Sequence, residues 1–107
     1  MKKQIQERKA MEKLEREILQ IFCDVCGFEE DEANVLDDMK GYEEVSDIDL
    51  FWFYKRLDEK FIRYGLDSLK KRDNFKTIND VTKYVSDMVG LTRLVRDMKD
   101  RNYADAS

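Results

Sequence analysis

No proline occurs anywhere in this chain of 107 residues, and only four glycines are present. Proline interrupts helices and glycine supplies tight turns, so this scarcity permits long helices and leaves β-turns poorly provided for. Apolar residues recur at spacings of three and four along much of the chain, which is the period of an amphipathic helix. The sequence therefore predicts an all-α protein of a single domain.

The formal net charge is −4, and the acidic residues are concentrated in one region. Between Phe28 and Leu50 there are ten acidic side chains, and Lys40 is the one basic residue among them. Non-specific nucleic-acid binding needs a basic face towards the phosphates, so we expect no nucleic-acid partner. Two roles stay open for the acidic region, namely a solvated connection or electrostatic steering of a basic partner.

The sequence gives no sign of membrane insertion or secretion. A spanning helix needs about 18 or more consecutive apolar residues, and no such run is present. The segment Met1–Glu7 is basic but lacks the apolar core of a secretory signal. We therefore expect a cytoplasmic protein without membrane contact.

The first helix is predicted over about residues 4–26, ending at Gly27, which suits a left-handed cap. A long acidic loop from Phe28 to Ser46 follows. Its anchoring residues are predicted to be Val35, Leu36, Met39 and Tyr42. Ser46 or Asp47 would then cap a second helix that runs to about Phe61 or Arg63. The inward stripe of this helix is predicted to be Leu50, Phe53, Leu57 and Phe61.

A short third element is predicted around residues 66–71, and a last helix that begins at Thr77 or Asn79. The inward residues of this last helix are predicted to be Val81, Tyr84, Val85 and Met88. Gly90 interrupts the pattern, which predicts a kink or a separate final helix there. The apolar pattern resumes at Leu91, Leu94, Val95 and Met98, and we expect a loose tail from Asn102.

Three segments resemble acyl carrier proteins, in the order that family has them. Residues 14–32 are similar to its first helix and the acidic stretch after it, and residues 75–85 to its closing helix. The run Leu57–Phe61 resembles the Leu-Glu-Glu-x-Phe-like end of the central helix. The resemblance implies an acyl-carrier-like four-helix bundle with a long acidic loop between helices 1 and 2. It divides the chain into a basic N-terminal helical extension (1–13), the carrier-like domain (14–89) and a C-terminal helical extension with a loose tail (90–107).

Acyl carriers receive 4′-phosphopantetheine on the serine of an Asp-Ser-Leu motif at the start of the central helix. With the register fixed by Phe61, Asp47 occupies the place of that serine and Ser46 the place of the aspartate. A carboxylate cannot accept the phosphodiester, and Ser46 lies about 100° away around a helix. The resemblance thus implies a non-enzymatic, carrier-like protein that acts through protein contacts, with no cofactor expected and Ser46 acting as a helix cap.

A working carrier is the alternative. Asp67-Ser68-Leu69 reproduces the attachment motif letter for letter, although the residues after it are basic and lack apolar periodicity. In this alternative, 4′-phosphopantetheine would be carried on Ser46 or Ser68. The protein would then serve fatty-acid or polyketide-type biosynthesis.

The second helix carries four consecutive aromatic residues, Phe51–Tyr54, which point in different directions around its axis. If Phe53 faces inward, Trp52 must be exposed or covered by the C-terminal extension. Exposed aromatic residues are typical hot spots of protein interfaces. We therefore expect a protein partner to dock on helix 2 and the acidic loop. The predicted partner-binding residues are Asp47, Asp49, Phe51, Trp52 and Lys55.

Cys23 and Cys26 form a C-x-x-C pair at the end of the first helix, and the chain has no further cysteine and no histidine. Zinc would need two more ligands, and a redox pair needs its first cysteine at a helix N-terminus, where the thiol pKa falls. The acidic loop lacks the alternating oxygens and central glycine of an EF-hand. We therefore expect buried, structural cysteines, no metal site and no catalytic residues.

Overall fold

The computed structural model describes the backbone of residues 2–105 and the side chains of residues 11–95. Within these residues the chain is helical and has no β-strand, which confirms the all-α prediction. The α-helices are α1 (Lys2–Cys26), α2 (Asp47–Lys60) and α3 (Ile78–Asp105). Short 3₁₀ turns lie in the connections, at Glu30–Glu32, Met39–Gly41, Ile62–Tyr64 and Arg72–Asn74. Over the described residues, none of the helices is long and apolar enough to cross a membrane.

The core lies where α1 packs against both α2 and α3. Its fully buried side chains include Ile18, Phe22, Phe53, Leu57, Val81 and Val85. The rings of Phe22 and Phe53 meet edge to face across the α1–α2 contact, with 5.4 Å between their centroids. All four residues of the predicted inward stripe of α2 are buried, so that prediction is confirmed. Tyr54 is buried as well, which the sequence did not predict.

Gly27 ends α1 as predicted. Its φ of +76° is a left-handed conformation that glycine adopts without strain. The amides of Gly27 and Phe28 both donate to the carbonyl oxygen of Cys23, at 2.8 and 2.9 Å. The free carbonyl at the helix end is thereby satisfied within the chain.

Two reciprocal caps begin α2 and α3. At α2, the amide of Asp49 donates to Ser46 Oγ (3.2 Å) and the amide of Ser46 donates to Asp49 Oδ2 (3.1 Å). At α3, the amide of Asp80 donates to Thr77 Oγ1 (3.0 Å) and the amide of Thr77 donates to Asp80 Oδ2 (3.2 Å). Each pair is a capping box, which satisfies amides that have no partner within the helix. The predicted starts of both helices, at Ser46 and at Thr77, are confirmed.

The acidic loop between α1 and α2 is attached to the start of α3 by backbone hydrogen bonds. The amide of Met39 donates to the carbonyl of Lys76 (2.8 Å), and the amide of Asn79 donates to the carbonyl of Val35 (3.0 Å). Met39 is buried, and Val35 and Tyr42 pack against the core, as predicted. The prediction for Leu36 is wrong, because this side chain is 69% exposed.

The connection from α2 to α3 forms turns where a short third element was predicted. Residues 68–71 are in a turn, with 3₁₀ segments at Ile62–Tyr64 and Arg72–Asn74 on either side of it. Residues 66–74 lack the apolar period that would hold an amphipathic helix against the core. In the described part of the chain, the fourth helix of the predicted bundle is therefore not observed.

Helix α3 continues through Gly90 without a break, so the prediction of a separate final helix is wrong. Its first turns are buried as predicted, with Val81 and Val85 fully buried and Tyr84 and Met88 partly buried. The apolar residues packed against the core end at Val89. Beyond it, the side chains predicted to face inward are about half exposed, namely Leu91, Leu94 and Val95. The Met98 side chain lies outside the described residues, and the tail predicted from Asn102 is helical to Asp105.

Candidate functional site

The side of α2 that faces away from the core carries a row of exposed apolar side chains. Ile48 is 69% exposed, Phe51 42% and Trp52 46%. Their spacing of three and four residues places them side by side on one helix face. Together with Lys55 they form a continuous surface, here called the α2 outer face. Phe53 faces inward and Trp52 is exposed, which is the first of the two outcomes expected for this ring.

The aromatic residues of the α2 outer face contact one another and a neighbouring cation. The rings of Phe51 and Trp52 meet edge to face at a centroid distance of 5.7 Å. Lys55 Nζ lies 4.9 Å from the centroid of the Trp52 ring, in cation–π range. Contacts of this kind restrict the rings in the free protein, and side chains that are already ordered lose less entropy on binding.

The predicted partner-binding residues do not all lie on this face. Phe51, Trp52 and Lys55 do, and Asp47 is exposed at the first residue of α2. Asp49 is partly buried, and its carboxylate accepts the amide of Ser46 within the capping box. Asp49 therefore stabilises the start of α2, and its carboxylate is already engaged inside the chain.

Ile48 belongs to the α2 outer face, although the sequence did not single it out as a binding residue. It is the most exposed apolar side chain of α2. The signal was present in the chain, because Ile48 precedes Phe51 by three residues and Trp52 by four. That spacing marks a shared helix face once Phe53 is known to point inward.

A cleft of about 540 Å³ opens beside the α2 outer face. It is bounded by the Met39–Lys40 turn, the first two turns of α2 and residues 72–75. Its apolar lining includes Met39, Leu50, Tyr54 and Phe75. Its charged lining consists of Lys40, Asp47, Arg72 and Asp73. No sequence pattern indicates this cleft, because its walls come from three segments that are brought together only by folding.

The acidic loop adjoins the α2 outer face through its last residues, which lead directly into Ser46. Nine of the ten acidic side chains between Phe28 and Leu50 are exposed, Asp49 being the exception. Two of the nine also stabilise the loop, since Asp37 accepts the hydroxyl of Tyr42 and Asp38 accepts the amide of Lys40. The loop is therefore an ordered, negatively charged surface.

The two serines of the carrier alternative have opposite environments. Ser46 is exposed, and its hydroxyl oxygen accepts the amide of Asp49. Ser68 is fully buried, and its hydroxyl donates to the carboxylate of Asp58. A transferase could not reach the Ser68 hydroxyl in the folded chain. The structure therefore argues against Ser68 as an attachment site, although the motif around it is intact.

Both cysteines are free, and neither is an activated thiol. Burial, followed by the charges of Glu30 and Asp24, raises the pKa of Cys23. Burial, followed by the charge of Asp49, raises the pKa of Cys26 to about 12. High thiol pKa values oppose redox and metal-binding roles, because both need the thiolate. Across the described residues, no group of three or more metal-ligating side chains is present.

Comparison of the chain with protein-family models, with curated proteins and with solved structures found no match in any of the three. Functional inference for this chain therefore depends on its own surface and cleft.

Proposed function

We propose that this protein is a non-catalytic, acyl-carrier-like helical protein that acts by binding a protein partner. The partner docks on the α2 outer face, with the acidic loop beside it. The observation that carries the proposal is the continuous apolar row of Ile48, Phe51 and Trp52, which the rest of the described chain leaves substantially exposed.

The chemistry of this surface indicates what the partner presents. Tryptophan and other large apolar side chains at the centre of an interface contribute most of its binding free energy. Glu43, Glu44 and Asp47 are exposed next to the start of the α2 outer face. A matching partner therefore has an apolar groove with basic side chains along one edge. Charge attraction would speed its association, and the association rate would fall as salt screens the charges.

The carrier-like part of the proposal is supported by the sequence resemblance and by the position of Asp47. Ser46 is the N-cap and Asp47 the first residue of α2. A carboxylate thus begins the helix at the place where the resemblance expects the modified serine. Loss of the attachment hydroxyl, with the partner-facing helix retained, supports binding without a prosthetic arm.

Partner binding can be tested by comparing two exposed isoleucines, one on the α2 outer face and one outside it. Ile48 is 69% exposed on the α2 outer face, and Ile62 is 75% exposed after α2 ends. Wild type, Ile48→Ala, Trp52→Ala and Ile62→Ala would each be immobilised and exposed to native lysate, and the retained proteins identified by mass spectrometry. We expect a partner retained by wild type and Ile62→Ala, and lost by the other two variants. Retention of the same proteins by all four forms would contradict the proposal.

A working carrier modified on Ser46 remains the second candidate, because the Ser46 side chain is exposed. Incubation with coenzyme A and a broad-specificity phosphopantetheinyl transferase, followed by intact mass measurement, separates the two. We expect no mass gain for the wild type. One added arm on Ser46 would overturn the proposed function. Labelling of a variant with Ser46→Asp and Asp47→Ser would support the assigned register.

A further inference from the structure

The hydroxyl of Tyr54 is the polar group that the fold leaves without a partner at the cleft. The Tyr54 side chain is only 2% exposed, yet among the described residues its hydroxyl makes no hydrogen bond. No side-chain polar atom in the described part of the chain is both sealed from solvent and unpaired. Tyr54 lines the cleft, so the solvent contact that its hydroxyl needs is available there. A ligand that fills the cleft must supply an acceptor, because an unpaired buried hydroxyl is unfavourable.

Arg72 lines the same cleft as Tyr54 and places a positive charge in its wall. Burial raises the pKa of Tyr54, and the largest effect of any charged neighbour comes from Arg72, which lowers it. The phenol therefore stays protonated at neutral pH and acts as a donor. Arg72 Nη1 donates to the carbonyl of Leu69 at 2.8 Å. A guanidinium has five N–H donors in a plane, so Arg72 retains others for an acceptor in the cleft.

The charged lining of the cleft is balanced, with two cations and two carboxylates, and therefore disfavours a ligand of high charge. Lys40 adds a second cation to the lining, while Asp47 and Asp73 contribute two carboxylates. A dianion such as a phosphate monoester would be repelled by these two acids more strongly than a carboxylate would. The first residues of α2 also form part of the wall, and the positive end of a helix dipole favours an anion.

The apolar lining of the cleft favours a ligand whose main part is apolar. Met39, Leu50, Phe51 and Phe75 line the cleft with aliphatic and aromatic surface. The volume of about 540 Å³ is typical of small-molecule sites, which span roughly 300–1,000 Å³. A flat, ring-containing molecule would contact both phenylalanine rings.

We propose that this cleft binds a small amphipathic monocarboxylate. Its carboxylate accepts hydrogen bonds from the Tyr54 hydroxyl and the Arg72 guanidinium, and its apolar body lies against Phe51 and Phe75. This site adjoins the proposed partner contact, and Ile48 and Phe51 belong to both surfaces.

The test uses the full-length protein and three naphthalene probes that differ only in their polar group: 2-naphthoate, 2-naphthylmethanol and 2-naphthyl phosphate. Binding would be followed by amide chemical shifts. We expect saturable shifts at residues 39–40 and 72–75 with 2-naphthoate, and binding about tenfold tighter than that of the alcohol, as for a charge-assisted hydrogen bond. The phosphate should bind more weakly than the carboxylate. Absence of saturable shifts, shifts confined to other regions, or equal affinity for carboxylate and alcohol would overturn the proposal.

Conservative variants then identify the contacts. Tyr54→Phe removes only the hydroxyl, and Arg72→Gln removes the positive charge together with the guanidinium donors, including the one that binds the carbonyl of Leu69. Each should weaken 2-naphthoate binding about tenfold and leave 2-naphthylmethanol unchanged. The matched controls, Tyr64→Phe and Arg63→Gln, should bind both probes as the wild type does. A variant that is merely misfolded would lose both probes together, so loss of the carboxylate preference alone identifies a direct contact. Unchanged carboxylate preference in Tyr54→Phe would refute the proposed geometry.

Discussion

Ser46 and Ser68 stand in similar three-residue contexts, and the fold uses them in opposite ways. In each case an aspartate accepts the serine amide, Asp49 for Ser46 and Asp58 for Ser68. The first pair is three residues apart and lies at an exposed helix start. The residues of the second pair are ten apart, and their hydrogen bond joins the turn at residues 68–71 to the last part of α2. The motif that matches letter for letter is thus the buried one, so residue identity alone does not predict an accessible hydroxyl.

The difference follows from where each aspartate is anchored. Asp49 belongs to the first turn of α2 and stabilises that turn locally. Asp58 belongs to the last part of α2, and its carboxylate accepts the amides of Ser68 and Leu69, at 2.9 and 3.2 Å, as well as the Ser68 hydroxyl. One carboxylate thus accepts three hydrogen bonds from the connection between α2 and α3, whereas Ser46 and Asp49 share the capping of α2.

The largest effect on the free energy of unfolding is expected for Asp58→Ala. It leaves two amides and a buried hydroxyl without their acceptor, and the free energy of unfolding should fall by about 2 kcal/mol or more. Glu59→Ala changes the next residue, which is exposed, and should alter stability by less than about 0.5 kcal/mol. Urea denaturation of both variants measures these changes in the free energy of unfolding. Equal losses would contradict the distinction between the two serine regions.

A smaller effect is expected for Ser46→Ala, which removes the N-cap of α2. Loss of such a cap costs about 1 kcal/mol, while Ser46→Asn keeps a capping oxygen and should restore most of that stability. Urea denaturation of Ser46→Ala and Ser46→Asn measures both changes in stability. If Ser46→Ala destabilised the protein as much as Asp58→Ala, the view of Ser46 as a purely local cap would be wrong.

The smallest effect on stability is expected for Asp80→Asn in the cap of α3, and this effect should depend on pH. The amides of Lys76 and Thr77 lower the pKa of Asp80 from its ordinary 3.8. A lowered folded-state pKa means that the stabilisation is present above 3.8 and is lost as the pH falls through the folded-state value. The variant should be less stable than wild type by under about 1 kcal/mol at neutral pH. Thermal melts should show this difference shrinking below pH 3.8, and a constant difference across that range would exclude a charge-dependent cap.

The features predicted correctly from the sequence are those determined by neighbours in the chain. Gly27, Ser46 and Thr77 terminate or begin helices through contacts within three or four residues. The buried stripe of α2 follows from helical spacing alone. Exposure of Trp52 follows in turn, because its neighbour Phe53 takes the inward position.

The features missed are those that join distant segments. A turn stands where a short third element was expected, and its Ser68 donates hydrogen bonds to Asp58 of α2. The cleft combines parts of the acidic loop, α2 and the segment before α3. Tyr54 is buried because it lies next to the inward stripe, between Leu50 and Leu57 on the helix surface, but only the folded chain shows that it lines a cleft. The four-helix arrangement implied by the carrier resemblance fails at the same connection.

Helix α3 continues through Gly90 without a break, but its parts before and after this glycine differ in local stability. A glycine inside a helix is less favourable than alanine by about 1 kcal/mol, and no neighbouring atom lies within 4 Å of where a Cβ would be placed. Before Gly90 the helix is held by the core, whereas Leu91, Leu94 and Val95 are already about half exposed. The turns from Leu91 to Val95 can therefore unwind and reform without disturbing Val81 or Val85. Local opening of these turns should require less free energy than unfolding of the domain, because their apolar side chains are about half exposed.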